Sequence, residues 1–281
     1  MKYIHELKNW PKFRWSQDRV ANKLASVRHQ QGRLIGRMEA LGFLLRSEAV
    51  LQTLTEDVTK SSEIEGEVLN KEQVRSSIAR RLGMDAGGLV PADRDVEGMV
   101  EMMLDATQKY TQKVTKERLF DWHASLFPTG RSGMGKIRVG KWRDDNAGPM
   151  QIVSGPIGKK KVHYQAPRAK QIAREMQAFL AWFNSEDTTD PVLKSAMAHL
   201  WFVAIHPFED GNGRIARALT DMLLARSENS PKRFYSMSAQ IRTERKTYYD
   251  IYHTTVKEVY SVIKNTNTIH GEYKAYNGDG T

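Results

Sequence analysis

The first part of the chain carries a repeating apolar stripe of the kind that runs along one side of a helix. Its apolar positions alternate between steps of four and three residues, and polar Gln31 fills the one vacant slot. This spacing predicts a heptad stripe on one long helix. A coiled-coil seam between two chains would show the same pattern, but packing on the helix's own domain is favoured for a single stripe of this length. The stripe consists of Val20, Leu24, Val27, Leu34, Met38, Leu41 and Leu45.

Helical periodicity continues along most of the chain. A second apolar face, from Val50 to Val58, leads into a polar stretch at 59–66. The segment 83–91 is rich in glycine and ends in proline, so it is predicted to be a loop between an N-terminal helical part and the main domain. Further helices are predicted over 71–82, 93–110, 115–126, 192–204 and 214–225, and from Pro167 onward, with Ile172, Met176, Phe179 and Phe183 on one face.

Residues 128–166 break the helical pattern. Two short extended pieces, 150–153 and 161–164, flank a segment that contains Gly155, Pro156 and Gly158. This arrangement fits a β-hairpin. The chain is therefore predicted to be mainly α with one small β-hairpin.

A near-match to a phosphate-binding P-loop lies at Gly130–Ile137. Ile137 stands where that loop needs a serine or threonine to hold magnesium. The residues that follow are extended, whereas a P-loop leads into a helix. We interpret this segment as a flexible loop.

Composition excludes several classes of protein but does not alter the predicted fold. With no cysteine, the chain can form neither disulfides nor thiolate metal sites. No apolar run approaches the length of a membrane span, and the N-terminus lacks a signal-peptide core, so a cytoplasmic protein is the simplest interpretation. The net charge of +10 is scattered apart from a short cluster at 159–161, which favours a solvated surface over nucleic-acid binding.

The most informative segment runs from His206 to Arg217 and reads His-Pro-Phe-Glu-Asp-Gly-Asn-Gly-Arg-Ile-Ala-Arg. Gly211, Asn212 and Gly213 allow a tight turn whose backbone N–H groups converge. The turn runs directly into a helix with an apolar face. An anion-binding nest at the positive end of a helix suits phosphate.

The same segment carries side chains suited to phosphate chemistry. Arg214 and Arg217 project from the first helical turn, and two guanidinium groups beside a nest indicate more than one phosphoryl group. Asp210 is placed to hold Mg²⁺, and His206 can accept a proton near neutral pH. Each residue alone is usually structural, whereas all of them within one short segment indicate a catalytic site.

This segment matches the signature of the Fic family, HPFx(D/E)GNGRxxR, at every specified position. The resemblance covers about residues 90 to 255, and the stretches 138–152 and 162–167 look like the family's substrate-clamping flap. It implies a Fic-type helical bundle core with a small β-hairpin flap, preceded by an N-terminal helical domain. The expected divisions are 1–85 for that domain, 86–255 for the core and 256–281 for a C-terminal segment with a disordered end and no DNA-binding or dimerising module.

A second motif, Ser61-Ser-Glu-Ile-Glu-Gly66, matches the family's inhibitory pattern (S/T)xxxE(G/N). Short Ser/Glu-rich strings are common at helix ends, so the match is informative only beside an intact Fic motif. The resemblance implies that Glu65 pairs with Arg217, which would otherwise bind the γ-phosphate, and so misplaces ATP. The position of the motif suggests the class with an N-terminal inhibitory helix.

The resemblance further implies a protein adenylyltransferase that uses ATP and Mg²⁺. His206 would take the proton from a Ser, Thr or Tyr hydroxyl, which attacks the α-phosphorus and releases pyrophosphate, and Asp210 would hold the metal. The phosphate-binding residues would be Gly211, Asn212, Gly213, Arg214 and Arg217, with Asn212 near the α-phosphate. The flap residues Met150, Gln151, Ile152 and Val153 would hold the target protein by β-strand addition.

Two alternatives stay open. Some Fic enzymes remove AMP, with the inhibitory glutamate helping to activate water, so Glu65 also fits a de-AMPylating or bifunctional enzyme. A non-catalytic basic interaction protein is the alternative from another class, but such a module needs neither His206 nor Asp210. The expected partners are ATP and a target protein, which could be the chain itself. A homodimer stays open, and a membrane or nucleic-acid partner is disfavoured.

Overall fold

A computed structural model of the protein describes residues 3–84, 87–154 and 161–250. Helices dominate it, which confirms the predicted fold class. Helix α8 lies at the centre, in contact with α2, α4, α5, α7 and α9. The elements in chain order are a 3-10 turn (Ile4–Glu6), α1 (Gln17–Glu39), α2 (Phe43–Ile64), α3 (Lys71–Arg81), α4 (Arg94–Gln108), α5 (Lys116–Leu126), β1 (Arg131–Ser132), β2 (Gly135–Lys136), β3 (Gln151–Ser154), β4 (Lys161–Gln165), α6 (Ala169–Phe183), α7 (Pro191–Ile205), α8 (Asn212–Glu228) and α9 (Met237–Thr243).

The long helix predicted over the N-terminal stripe is wrong, because the structure divides it into α1 and α2. The chain turns between Ala40 and Gly42, where glycine lowers helix stability. None of the residues of α1 is buried. Polar contacts hold this helix instead: Arg28 donates to Asp190 at 3.1 Å, and Gln31 donates to Glu228 at 2.6 Å. The heptad spacing therefore indicated which residues share a helix face. It did not show that the chain forms two helices in place of one.

The other predicted helices begin and end within three residues of the observed bounds. Local capping explains this agreement. The side chain of Asn70 accepts the N–H groups at the start of α3, and Asp190 does the same for α7, which opens on Pro191. Helix α9 was not predicted, because its seven residues are too few to show a periodic face.

Two small antiparallel hairpins interrupt the helices. The predicted one pairs β3 with β4, in a register that places Ile152 opposite Tyr164. The segment predicted to be a loop at 130–137 forms a second hairpin, with Ser132 opposite Gly135. The next helix after it is α6, so this segment is not a P-loop. The prediction of a single hairpin is corrected accordingly.

The larger hydrophobic cluster of the described core includes the buried apolar face of α8. Residues from α2 and α3 belong to this cluster together with residues from α4 to α8. The 61–66 motif, at and just after the C-terminal end of α2, lies beside the start of α8, where Glu65 contacts Gly213 and Arg217. The proposed division at residue 85 stays a prediction. The C-terminal segment 256–281, the predicted turn residues 155–158 and Lys159 and Lys160 lie outside the described residues.

No helix in the described ranges combines the length and the apolar character needed to cross a bilayer.

Candidate active site

The segment 206–217 joins α7 to α8 and lies where two helix ends meet. His206 caps the C-terminus of α7 in the left-handed conformation, with φ 51°. Gly211, with φ 78°, caps the N-terminus of α8. The first N–H groups of a helix have no intrahelical acceptor, and here they face the loop. This is the geometry that an anion-binding nest requires.

Asn212 holds this loop in shape. Its side-chain Oδ1 accepts the backbone N–H of Phe208 at 3.0 Å, and its Nδ2 donates to the carbonyl of Phe208 at 2.9 Å. The residue is only 2% exposed. Because the amide is engaged within the loop, what Asn212 offers to a phosphate is its backbone N–H.

His206 has one nitrogen fixed and the other available. Its Nδ1 lies 3.3 Å from the carbonyl oxygen of Val203, which can only accept a hydrogen bond. In the neutral ring Nδ1 therefore carries the proton and Nε2 keeps its lone pair. Burial lowers the pKa of His206 to about 4. The imidazole is thus neutral at pH 7 and able to accept a proton through Nε2.

Asp210 faces the hairpin formed by β1 and β2. Its Oδ1 accepts the N–H of Gly211 at 2.6 Å, and the hydroxyl of Ser132 donates to its Oδ2. The neighbouring Glu209 accepts the backbone N–H of Arg138 at 3.0 Å. Ser132 was not predicted as a site residue, because nothing in the sequence indicates that the hairpin approaches a residue 78 positions away.

The described residues contain no group of three or more His, Asp or Glu side chains that could hold a metal ion. Any metal at Asp210 would therefore have fewer than three such side chains as ligands among the described residues. That donor set fits Mg²⁺ held mainly by phosphate oxygens and water, which is how Mg²⁺ commonly accompanies nucleotides.

Arg217 is held by the 61–66 motif. Its Nη2 donates to Glu65 Oε1 at 2.8 Å and to the carbonyl of Ser61 at 2.8 Å, and its Nε donates to Ser61 Oγ at 2.8 Å. The side chain of Arg217 is 2% exposed and that of Glu65 is 31% exposed. The structure therefore brings together the glutamate and the arginine that the sequence paired.

The carboxylate of Glu65 also lies directly against the start of α8. A Cβ atom built on Gly213 would be 2.1 Å from Glu65 Oε1, which is closer than any real contact allows. Position 213 therefore requires glycine while Glu65 occupies this place. The carboxylate of Glu65 therefore already places a negative charge at the positive, N-terminal end of α8.

Arg214, the first arginine of the motif, is also engaged. Its Nη1 donates to Glu67 Oε2 at 2.5 Å, and its guanidinium group lies 4.9 Å from the ring centre of Phe127. Sequence reasoning missed Glu67. The one signal that could have revealed it was a second carboxylate two residues after Glu65.

Arg143, which the sequence placed in the flap, is a buried support for the loop. Its Nε donates to the carbonyl of His206 at 2.8 Å, and its backbone N–H donates to the carbonyl of Pro207 at 2.9 Å. Its Nη1 donates to Asp145 at 2.9 Å and its Nη2 to the carbonyl of Pro167. With 1% of its side chain exposed, Arg143 holds the backbone that carries the imidazole.

Replacing this support should destabilise the whole protein. We expect Arg143→Met to lower the free energy of unfolding by about 3 kcal/mol, because the carbonyl groups of His206 and Pro167 lose their donor and Asp145 loses its ion pair. Urea denaturation followed by circular dichroism measures the change. Arg138→Met is the matched control, since the side chain of Arg138 is 44% exposed, and it should cost far less. Equal losses for the two variants would contradict the supporting role of Arg143.

The residues predicted for target binding lie at and before β3. Met150 accepts the backbone N–H of Ala166 at 3.0 Å, and Gln151 donates through its side chain to Gln165 at 2.9 Å. Met150 and Ile152 pack against a small cluster around Ile4, from the N-terminal turn. Val153 is placed as part of the strand, and its side chain is outside the described structure. In the described chain β3 is paired with β4 along one side. Strand addition would use the other side of β3.

The structure defines a helical domain in which His206 and two arginines lie on the loop and the helix that follow α7, and comparison with known proteins agrees with this fold. Residues 113–224 match the model of the Fic/DOC family, and residues 3–84 match a domain of unknown function, DUF4172. Residues 113–224 are thus similar to the Fic/DOC family, in agreement with the resemblance that the motif predicted.

Solved structures show the same fold. A Fic-domain signaling protein from Bacteroides thetaiotaomicron superposes with a TM-score of 0.59 at 21% identity, over 80% of each chain. A Fic family protein from Desulfovibrio desulfuricans also gives a TM-score of 0.59, at 20% identity, over 92% of this chain and 78% of that one.

Among curated proteins, the chain is 28% identical to the protein adenylyltransferase Fic of Drosophila mojavensis over 214 residues. That alignment covers 74% of this chain and 39% of the relative. The chain therefore spans about two fifths of the length of the curated relatives that it matches.

Proposed function

We propose that this chain is a protein adenylyltransferase that transfers AMP from ATP to a hydroxyl side chain of a protein. The observation that carries the proposal is His206, a neutral imidazole whose Nε2 is available as a base beside a phosphate nest and two arginines. The curated relatives named protein adenylyltransferase support the same activity.

In the proposed reaction, Nε2 of His206 accepts the proton of a Ser, Thr or Tyr hydroxyl. The oxygen attacks the α-phosphorus of ATP, a new P–O bond forms, and the bond to the β-phosphate breaks to release pyrophosphate. The backbone N–H groups that follow Gly211, together with Arg214 and Arg217, bind the phosphates. Catalysis rests on positioning and on charge stabilisation, since the protein forms no covalent bond itself.

Asp210 is the proposed ligand for Mg²⁺. Ser132 and the N–H of Gly211 hold its carboxylate in one orientation. When bound, Mg²⁺ would neutralise charge on the phosphates as pyrophosphate leaves.

The Asp210→Ala variant should therefore lose most of its response to Mg²⁺. We expect the Mg²⁺ concentration that gives half-maximal AMP transfer to rise about 10-fold or more, as for loss of a charged ligand. A titration of the initial rate with MgCl₂ measures it. Glu209→Ala is the matched control, because Glu209 faces the backbone of Arg138. A larger effect from Glu209 would show that we have misplaced the metal ligand.

The 61–66 motif is the proposed inhibitory element, formed by Ser61, Glu65 and Gly66. Glu65 pairs with Arg217 and lies against the first turn of α8. The phosphates of ATP would bind to the same groups. ATP that enters while this contact holds is displaced from the productive position. The enzyme is thus proposed to rest in an inhibited state until Glu65 moves.

Labelled ATP tests the activity directly. The Glu65→Gly protein is incubated with cell extract and either α-labelled or γ-labelled ATP, and protein-bound label is measured. AMP transfer requires label from the α-phosphate only. Label from γ-ATP in excess of that in extract without the protein would indicate a kinase-like reaction instead. Retention of nucleic acid without any labelling would favour the basic interaction protein.

One observation favours AMP removal as a second candidate function. The negative charge of Glu65 raises the pKa of His206 against the larger effect of burial, and AMP removal would use these two groups together to activate water. Release of AMP from a labelled protein by the wild type, lost in Glu65→Gly, distinguishes removal from addition.

The remaining assignments belong to the same proposal. Strand addition at Met150–Val153 would hold the target, and 1–85 and 86–255 would be an inhibitory helical domain and a catalytic core. The enzyme would act in the cytoplasm. Its target could be another protein or a second copy of the chain.

A further inference from the structure

Glu67 forms a contact that the inhibitory motif does not include. Its Oε2 accepts from Arg214 Nη1 at 2.5 Å. The side chain of Arg214 is 4% exposed and that of Glu67 is 44% exposed, so a buried guanidinium group is paired with a carboxylate at the edge of the cleft. Arg214 is the other arginine that phosphate binding would use.

The backbone between the two glutamates explains why both reach the loop. Helix α2 ends at Ile64, and Gly66 has φ 88°, a left-handed conformation that favours glycine. The N–H of Glu67 donates back to the carbonyl of Ser62 at 3.1 Å. This reversal directs the carboxylates of Glu65 and Glu67 to two arginines that lie three residues apart within the first two turns of α8.

We propose that Glu67 is a second inhibitory residue, and that Glu65-Gly66-Glu67 acts as an internal mimic of a polyphosphate that occupies both arginines. The proposal rests on the phosphate-binding role of those arginines in the proposed function. Nucleotide has to displace two carboxylates, one from each arginine. Removal of Glu65 alone leaves Arg214 occupied.

The surroundings of Glu67 make this contact exchangeable. Burial raises the pKa of Glu67, the charge of Arg214 lowers it, and the charges of Asp210, Asp95 and Glu65 raise it. Repulsion from these three carboxylates weakens the ion pair between Glu67 and Arg214. Arg214 is too buried to be left without an anion, so loss of Glu67 and arrival of a phosphate are favoured together.

Binding of a non-hydrolysable nucleotide tests the proposal without requiring transfer. Isothermal titration calorimetry with α,β-methylene-ATP and Mg²⁺ is applied to the full chain as wild type, Glu67→Gln, Glu65→Gly and the double variant. We expect Glu67→Gln to tighten binding by about 3- to 10-fold, as for loss of a competing charged contact that is partly exposed. The double variant should bind more tightly than Glu65→Gly alone.

Two further variants separate the contact from bulk charge. Asp95→Asn removes an exposed carboxylate beside Glu67 and should leave the affinity nearly unchanged. Glu67→Asp keeps the charge but shortens the side chain, so it should tighten binding as Glu67→Gln does. Equal tightening by Asp95→Asn and Glu67→Gln, or no tightening by Glu67→Asp, overturns the proposal. Circular dichroism checks that each variant is folded.

The outcomes also separate this proposal from the proposed function. If Glu67→Gln tightens nucleotide binding but no variant transfers AMP, the second inhibitory contact stands and the adenylyltransferase assignment fails. If Glu65→Gly transfers AMP while Glu67→Gln binds nucleotide as the wild type does, the assignment stands and the role of Glu67 fails.

Discussion

His206→Ala should reduce AMP transfer by about 10²- to 10⁴-fold while the protein stays folded, the range that loss of a general base typically gives. The Nδ1 of His206 is hydrogen-bonded to the carbonyl oxygen of Val203, so only Nε2 can accept the substrate proton. The variant keeps the phosphate nest and both arginines, so it should still bind ATP. The measurement is the initial rate of α-labelled AMP incorporation, in the Glu65→Gly background to raise the signal.

The matched control is His29→Ala, which removes an exposed histidine of α1 and should leave the rate unchanged. Near-normal labelling by His206→Ala would remove His206 from the reaction. The pH dependence supplies a second check. Because burial lowers the pKa of His206 to about 4, its basic form predominates throughout pH 6–8. A fall in rate from protonation of His206 should therefore appear only as the pH approaches 4.

Glu65→Gly should raise AMP transfer by about 10- to 100-fold, the range expected when a charge-assisted hydrogen bond that competes with the substrate is removed. The carboxylate of Glu65 forms an ion pair with Arg217 and fills the space over Gly213. Without it, both become available to the phosphates, and the α-phosphorus can align with the incoming hydroxyl. The cost is a lower melting temperature, because Arg217 loses a partner in a buried position.

The arginine side of the same contact should behave differently. Arg217→Ala removes the proposed inhibitory contact and a proposed phosphate ligand together, so its rate should be low. The double variant should resemble Arg217→Ala alone, as expected of residues that act as a unit. The measurement is AMP incorporation for the wild type, each single variant and the double.

Glu63→Gly is the control for Glu65→Gly. Glu63 lies on the same helix end but pairs with Lys60 at 2.8 Å, so its loss should not activate the enzyme. If Glu65→Gly left the rate unchanged or lowered it, the inhibitory assignment would be wrong.

Glu65→Gly and Glu67→Gln should each change the nucleotide affinity independently, because each glutamate pairs with a different arginine. On the proposed function, both carboxylates would have to move before ATP binds productively. A target protein or a second copy of the chain that moves the C-terminal end of α2 would release both arginines at once. The two carboxylates are close in sequence, so one movement of the backbone serves both.

Much of this protein could be predicted from short stretches of sequence. The helices α3 to α8 follow from apolar periodicity and from caps such as Asn70 and Asp190, which act within a few residues. The candidate loop is contiguous from His206 to Arg217, so its residue types and order already indicated phosphate chemistry. The 61–66 motif was informative for the same reason, once the loop was recognised.

The tertiary structure decided what depends on residues far apart in the chain. Ser132 reaches Asp210 across 78 positions, Arg143 reaches His206 across 63, and Glu67 reaches Arg214 across 147. Such contacts leave no periodic trace, because each side chain satisfies its partner only after the elements between them have packed. The turn between α1 and α2 was missed for a related reason: the heptad stripe reports which side of a helix is apolar, whereas the packing of α2 on the core sets the direction of the chain. Local sequence thus determined the elements and the chemistry of the loop, and packing determined which side chains hold that loop and which carboxylates occupy it.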